Sequence, residues 1–250
     1  MTAPRIEVHE DAHALAVAVA GELLGRLADA QASGEIPQIA LTGGGIADAM
    51  HRELARISPS SEVDWSRVVI WWGDERFEPP DSPDRNDLQA RQAFLDAVGV
   101  DPAQVHPMPS TADAESAEAG ATAYGDLIRD HGAGEFDVVM LGLGSDGHVA
   151  SLFPGLPQLD ADDAIAVAVH DSPKPPPDRI SLTLPALNRA RSVWFLVSGE
   201  EKAAAVSRAL TGAEGTGTQL PPDVHEVPAV GVTGHEETIW FLDRPAASRL

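Results

Sequence analysis

Apolar residues recur every fourth position at Leu15, Val19, Leu23 and Leu27, and this spacing predicts a helix with one face turned to a core. Farther along, short apolar runs alternate with helical stretches. Residues 38–42 read as a strand running into Gly43-Gly44-Gly45, followed by a helix over 46–57. Residues 68–72 read as a second buried strand, and 73–87, with Pro79, Pro80 and Pro83, as a long polar loop. Helical spacing returns over 88–98 and 112–129, with a short strand over 105–108 between them. Residues 138–141 are apolar without alternation and are closed by Gly142, the pattern of a buried parallel strand. Strands follow over 164–169, 180–184, 193–197 and 238–242, with a helix over 200–210. Strands alternating with helices predict an α/β fold, a mostly parallel central sheet with helices on both faces and right-handed crossovers. No internal repeat or polar linker divides the chain, so residues 1–250 are expected to form a single domain. The Gly/Thr/Pro-rich stretch 211–222 is then a surface loop.

Composition removes several function classes. The 250 residues carry a net charge of −22 and no cysteine. Without cysteine there are no disulfides, thiolate metal sites or cysteine nucleophiles. The negative charge argues against nucleic acid or an anionic membrane as partner. No stretch is long and apolar enough to span a bilayer. The apolar residues 12–20 follow Glu7, Glu10 and Asp11, the wrong charge for a secretory signal, so a cytoplasmic protein is expected. Fifteen arginines stand beside two lysines, Lys174 and Lys202, and both lysines fall within motifs rich in other polar groups.

Candidate chemistry lies in loops beyond strand ends, where open α/β sheets place their sites. After the strand at 138–141 come Asp146 and His148. A histidine can take a proton from water near neutral pH and return it to a leaving group. A lone histidine is often only packing, but one set among glycines beyond a strand has little to pack against. Gly142, Gly144 and Gly147 also match the dinucleotide-binding pattern, which needs a helix opening at the loop and an acidic residue ending the next strand. Pro154 and Gly155 stop such a helix, and Asp162 and Asp163 precede an apolar run instead of ending one. That reading is set aside.

Gly43-Gly44-Gly45 entering a helix offers backbone N–H groups to an anion such as phosphate, although such a run also serves as a plain turn. Asp74, Glu75 and Arg76 leave a buried strand as either a solvated loop or a set of site residues. Arg179 opens a strand behind the proline-rich residues 173–177; its fork suits a phosphate through two parallel hydrogen bonds, or it is a surface arginine. Lys202 falls in the first turn of its helix, where a cation is disfavoured and an anion would offset the cost.

In this order, DGHVASLFPG (146–155), GDER (73–76) and SPKPPPDRISLTL (172–184) with Leu187-Asn188 resemble the 6-phosphogluconolactonases over residues 41–242. That family is similar in fold to the glucosamine-6-phosphate deaminases. The resemblance therefore implies a Rossmann-like parallel sheet with a small antiparallel addition. It also implies hydrolysis of 6-phospho-D-glucono-1,5-lactone to 6-phosphogluconate in the oxidative pentose phosphate pathway. His148 would activate the water and Asp146 would orient its imidazole. Thr42, Gly43, Gly44, Arg179 and Lys202 would hold the phosphate, with Arg76 joining them or facing the lactone. No cofactor and no metal are expected, because a lactone is already an activated ester and no carboxylate–histidine set has ligand spacing. The expected partner is a small phosphorylated lactone, and the expected state a monomer. Two positions depart from the family pattern: Gly45 and Ile46 stand where it carries Ser/Thr-Pro, and Arg85-Asn86 where it carries Ser-Asn. One rival is a deaminase or isomerase of an amino-sugar phosphate, but Ser151-Leu152-Phe153-Pro154 follow the histidine where deaminases carry an acid. The other is a non-catalytic sugar-phosphate binding module, which has no need of His148.

Overall fold

In the computed structural model, which describes residues 3–131, 135–211 and 222–250, the apolar runs become the inner strands of a parallel sheet. β1 (Arg5–His9) leads into α1 (Ala12–Ala32), capped by the Asp11 side chain, which accepts from the Ala14 N–H at 2.8 Å. β2 (Gln38–Leu41), α2 (Gly45–Ile57), β3 (Val69–Trp72) and the short β4 (Asp74–Arg76) follow. α3 (Asn86–Ala90) continues through a π-helical turn into α4 (Asp96–Val98), and α5 (Ala117–Asp130) leads to β5 (Val138–Leu141). β6 (Ala166–Val169), β7 (Arg179–Leu182), α6 (Leu184–Leu187), β8 (Ser192–Val197), α7 (Ala203–Thr211) and β9 (Glu237–Asp243) complete the order.

The large sheet runs β1-β9-β8-β5-β2-β3, with every neighbouring pair parallel, and β4-β7-β6 form a separate antiparallel sheet. Along β8, Val193, Phe195 and Val197 join the core on one face, Trp194 and Leu196 that on the other. This is why the strand is apolar throughout. The stripe Leu15, Val19, Leu23 and Leu27 of α1 is buried against the Trp194 face together with α2. α5, α7 and the small sheet cover the opposite face, where Ile180 and Leu182 share the core of Phe195. The Tyr124 hydroxyl on α5 accepts from the Trp72 N–H at 2.9 Å and donates to its carbonyl at 3.2 Å, tying that helix to the end of β3.

From β2 the chain steps outward to β3, and from β5 it steps the other way to β8 and β9. Because β2 and β5 are neighbours, their carboxyl ends flank a topological switch point, where a crevice opens.

Several local expectations differ from the structure. β1 carries no strong pattern in sequence, since Ile6 and Val8 remain exposed. The polar loop 73–87 contains β4, whose hydrogen bonds come from β7 more than a hundred residues away. Residues 105–108 contribute one bridge, Val105 to Ile70, instead of a strand. α5 starts at Ala117 behind the cap Ser116, and β7 ends at Leu182 because Thr183 turns to cap α6. The helix expected over 200–210 begins as a tight turn at Glu200–Lys202. Of the stretch 211–222, the interior lies outside the described residues. Among the described residues, no helix is long and apolar enough to cross a membrane.

Candidate active site

A cavity of about 580 Å³ opens at the carboxyl ends of β2, β5 and β8, and the loops singled out in sequence converge on it. Thr42, Gly43, Gly44, Arg76, His148, Arg179 and Lys202 all line it, while Asp146 stands behind His148.

The loop after β5 is a tight turn closed by the Gly147 N–H to the Gly144 carbonyl at 3.0 Å and the Gly144 N–H to the His148 carbonyl at 2.9 Å. No helix opens there; Val149 and Leu152 form a bridge instead, so the glycine pattern serves a different end. A Cβ at Gly144 would lie 2.0 Å from His148 Nδ1 and 2.2 Å from an Asp146 oxygen. Glycine at 144 thus leaves room for the pair. Asp146 Oδ1 lies 2.6 Å from His148 Nδ1 and also accepts the His148 backbone N–H at 3.3 Å. Burial alone would raise the Asp146 carboxyl, but the hydrogen bonds and charge of His148, with the charge of Lys174, hold it well below the usual carboxylate range. An ionised Asp146 fixes the ring proton on Nδ1 and leaves Nε2 as the acceptor. The buried ring of Phe153 lies 4.4 Å from the imidazole and packs against the Arg179 guanidinium at 5.7 Å on its own account.

Another wall of the cavity begins at α2, whose first-turn N–H groups have no intrahelical partner and no side-chain cap. Gly43 is required by its neighbour, since a Cβ there would lie 1.9 Å from Asn86 Oδ1. Lys202 and Lys174, the only lysines of the chain, both reach this cavity. Burial and the charge of Lys174 push the Lys202 ammonium down, with Glu201 and Asp146 pulling the other way.

Arg179 departs from the two-pronged grip expected of it. Its Nη2 donates to the carbonyls of Lys174 and Pro175 at 2.9 and 3.2 Å, and Nε to that of Pro176 at 3.2 Å. Only Nη1, 3.4 Å from the Ser151 hydroxyl, is left to turn toward the cavity. The arginine therefore fastens the proline-rich segment as well as lending charge.

Three residues that sequence reasoning left without a role complete the site. Asp74, buried at the cavity wall, accepts from the Ser151 hydroxyl at 2.6 Å and so joins the GDER and SLFP segments. Asn86 donates to the Asp74 carbonyl at 2.8 Å and accepts from Arg76. Both lay within quoted motifs, but their partners sit on distant loops. Arg85 explains its own departure from the family's serine. Its buried guanidinium donates to Asp87 at 2.9 Å and to the carbonyls of Arg76 and Met108. Beside it, buried Glu75 accepts the N–H groups of Asn86 and Asp87 at 2.7 and 2.8 Å. Burial pushes the Glu75 carboxyl up to about 8, outweighing the opposite pull of Arg85 and those N–H groups. The buried Arg85–Asp87 ion pair holds the loop that presents Arg76 and Asn86.

Comparison with known proteins bears on the family and the fold. The family described as glucosamine-6-phosphate isomerases/6-phosphogluconolactonase matches residues 10–240. A 6-phosphogluconolactonase of Streptomyces coelicolor is 43% identical, covering 99% of this chain and 95% of its own. The solved 6-phosphogluconolactonase of Trypanosoma brucei superposes with a TM-score of 0.78 at 28% identity over 99% of this chain and 98% of its own. A monomeric glucosamine-6-phosphate deaminase superposes with a TM-score of 0.82 over 98% of this chain and all (100%) of its own; at 18% identity it shares the fold alone.

Proposed function

The chain belongs to the family of glucosamine-6-phosphate isomerases and 6-phosphogluconolactonases, and we propose that within it this protein hydrolyses 6-phospho-D-glucono-1,5-lactone to 6-phospho-D-gluconate. The observation that carries the reading is the Asp146–His148 pair at the wall of a cavity whose cations, among the described residues, have no carboxylate partners. The phosphate takes the end formed by Thr42, the N–H groups of Gly43 and Gly44, Lys202 and the Nη1 of Arg179. Arg76, turned to the cavity from β4, contacts the sugar between the two ends. His148 Nε2 removes a proton from water as its oxygen bonds to C1, and the carbonyl electrons move to the oxygen. When the tetrahedral centre collapses, the bond from C1 to the ring oxygen breaks and His148 returns the proton to that oxygen. Asp146 steadies the imidazolium in between. One chain carries every group the reaction uses, so a monomer suffices.

Lactonase and deaminase share the demand for a phosphate site and differ at the reacting carbons. The ring beside His148 is Phe153, and residues 149–154 hold no acid. Titrating acid release from freshly made lactone, beside ammonia release from glucosamine 6-phosphate, separates them. Acid release well above the spontaneous rate is expected, falling about 10²- to 10⁴-fold in kcat for His148→Ala, the usual worth of a general acid–base group. Ammonia release that depends on His148 would overturn the reading.

A further inference from the structure

Lys174 sits on a strap, residues 171–178, whose backbone is fixed from several sides. At its neck the Ser172 N–H donates to the Pro177 carbonyl at 3.0 Å. His170, beside the neck, holds Asp178 at 2.7 Å through Nδ1 and Glu118 of α5 at 2.7 Å through Nε2. From beneath, Arg179 binds the carbonyls of Lys174, Pro175 and Pro176. A loop fastened this thoroughly delivers its side chain to one place. The Lys174 side chain lines the cavity, within electrostatic reach of both Asp146 and Lys202. Its charge therefore bears on the Asp146–His148 pair as well as on Lys202.

We infer that Lys174 is a further catalytic residue that places its positive charge against the C1 oxygens. The inference rests on the lactonase reading. The lactone carbonyl carries no charge, whereas the tetrahedral centre carries an oxyanion there and the product a carboxylate. A cation at this point, held in place before the reaction, favours the transition state and the product over the substrate. Lys202 binds a phosphate that is charged throughout, so it favours all three alike. The two lysines thus divide the substrate between them.

The test separates these duties. Lys174→Met is assayed for steady-state hydrolysis, and its affinity is measured by calorimetry for 6-phosphogluconate and for glucitol 6-phosphate, which has the same phosphate and no carboxylate. Expected are a kcat about 10- to 100-fold lower, at or below the loss of one oxyanion-hole donor, and a lactone KM changed about threefold or less. The Kd of 6-phosphogluconate should rise about tenfold or more while that of glucitol 6-phosphate stays within about twofold. Lys174→Arg should recover most of both. Lys202→Ala should weaken the two ligands equally. Equal weakening of both ligands by Lys174→Met, or no change in either, overturns the assignment. A wild-type protein that does not hydrolyse the lactone overturns the lactonase reading instead, and the calorimetric pair still decides where Lys174 points.

Discussion

Two cavities of nearly the same volume, about 580 and about 570 Å³, lie at opposite ends of the same parallel sheet. The one at the amino ends is lined by Arg26 and Arg191 with five carboxylates, Glu22, Asp29, Glu35, Asp137 and Glu236. Both arginines are neutralised there: Arg26 by Glu22 and Glu237, Arg191 by Glu35, Glu135 and Asp137 at 3.5 to 3.7 Å. At the carboxyl ends Arg76, Lys174, Arg179 and Lys202 face two carboxylates, Asp74 and Glu201. Among the described residues, none of these four cations forms an ion pair with a carboxylate. Size does not tell the two apart; charge does. In a chain of net charge −22, the carboxyl-end cavity is the one of these two whose charge suits an anion. Surface charges beyond about 8 Å are largely screened at physiological ionic strength, so the local cluster sets the field.

The contrast is broken most severely at Gly144. The atoms that a Cβ there would meet are the ends of the His148 and Asp146 side chains, which yield before the backbone does. Gly144→Ala is expected to lower kcat about 10²-fold, the low end of a general base's worth, with the thermal midpoint little changed. Steady-state assays beside a melting curve check this; an unchanged kcat would mean that the pair is not what catalysis needs.

A smaller effect, confined to the scaffold, comes from pH. His51 of α2 is buried, stacked on Phe94 at 4.8 Å, and burial pushes its pKa down from 6.5 to about 4, with Asp48 pulling weakly the other way. The unfolded chain therefore takes up this proton at a higher pH than the folded one. Stability is fully present above about pH 6.5 and falls toward pH 4, by about 3 kcal/mol in all. Urea midpoints between pH 7.5 and 4.5 should fall less in His51→Leu than in wild type. Parallel declines would assign the acid sensitivity to other groups.

How far the sequence discloses these features follows from how local they are. The α1 stripe, the inner strands, the glycine loop and the Asp146–His148 turn are set by neighbours within a few residues, and each lies where its pattern places it. β4 is legible only through β7, Asn86 only through Gly43 and Arg76, and Asp74 only through Ser151, 77 positions away. The second duty of Arg179 is of the same kind. Its type announces a charge, but only the fold shows that carbonyls of the strap already take Nη2 and Nε.

The most direct test of the contrast compares kcat/KM on 6-phosphogluconolactone with that on unphosphorylated gluconolactone, in wild type, Lys202→Ala and Arg191→Ala. The wild type should strongly prefer the phosphorylated lactone. Losing one charge-assisted hydrogen bond of about 1.5 to 3 kcal/mol should cut that preference about 10- to 100-fold in Lys202→Ala. Arg191→Ala, at the neutralised end, should leave it within about twofold. A preference that survives in Lys202→Ala, or falls equally in both variants, would contradict the account.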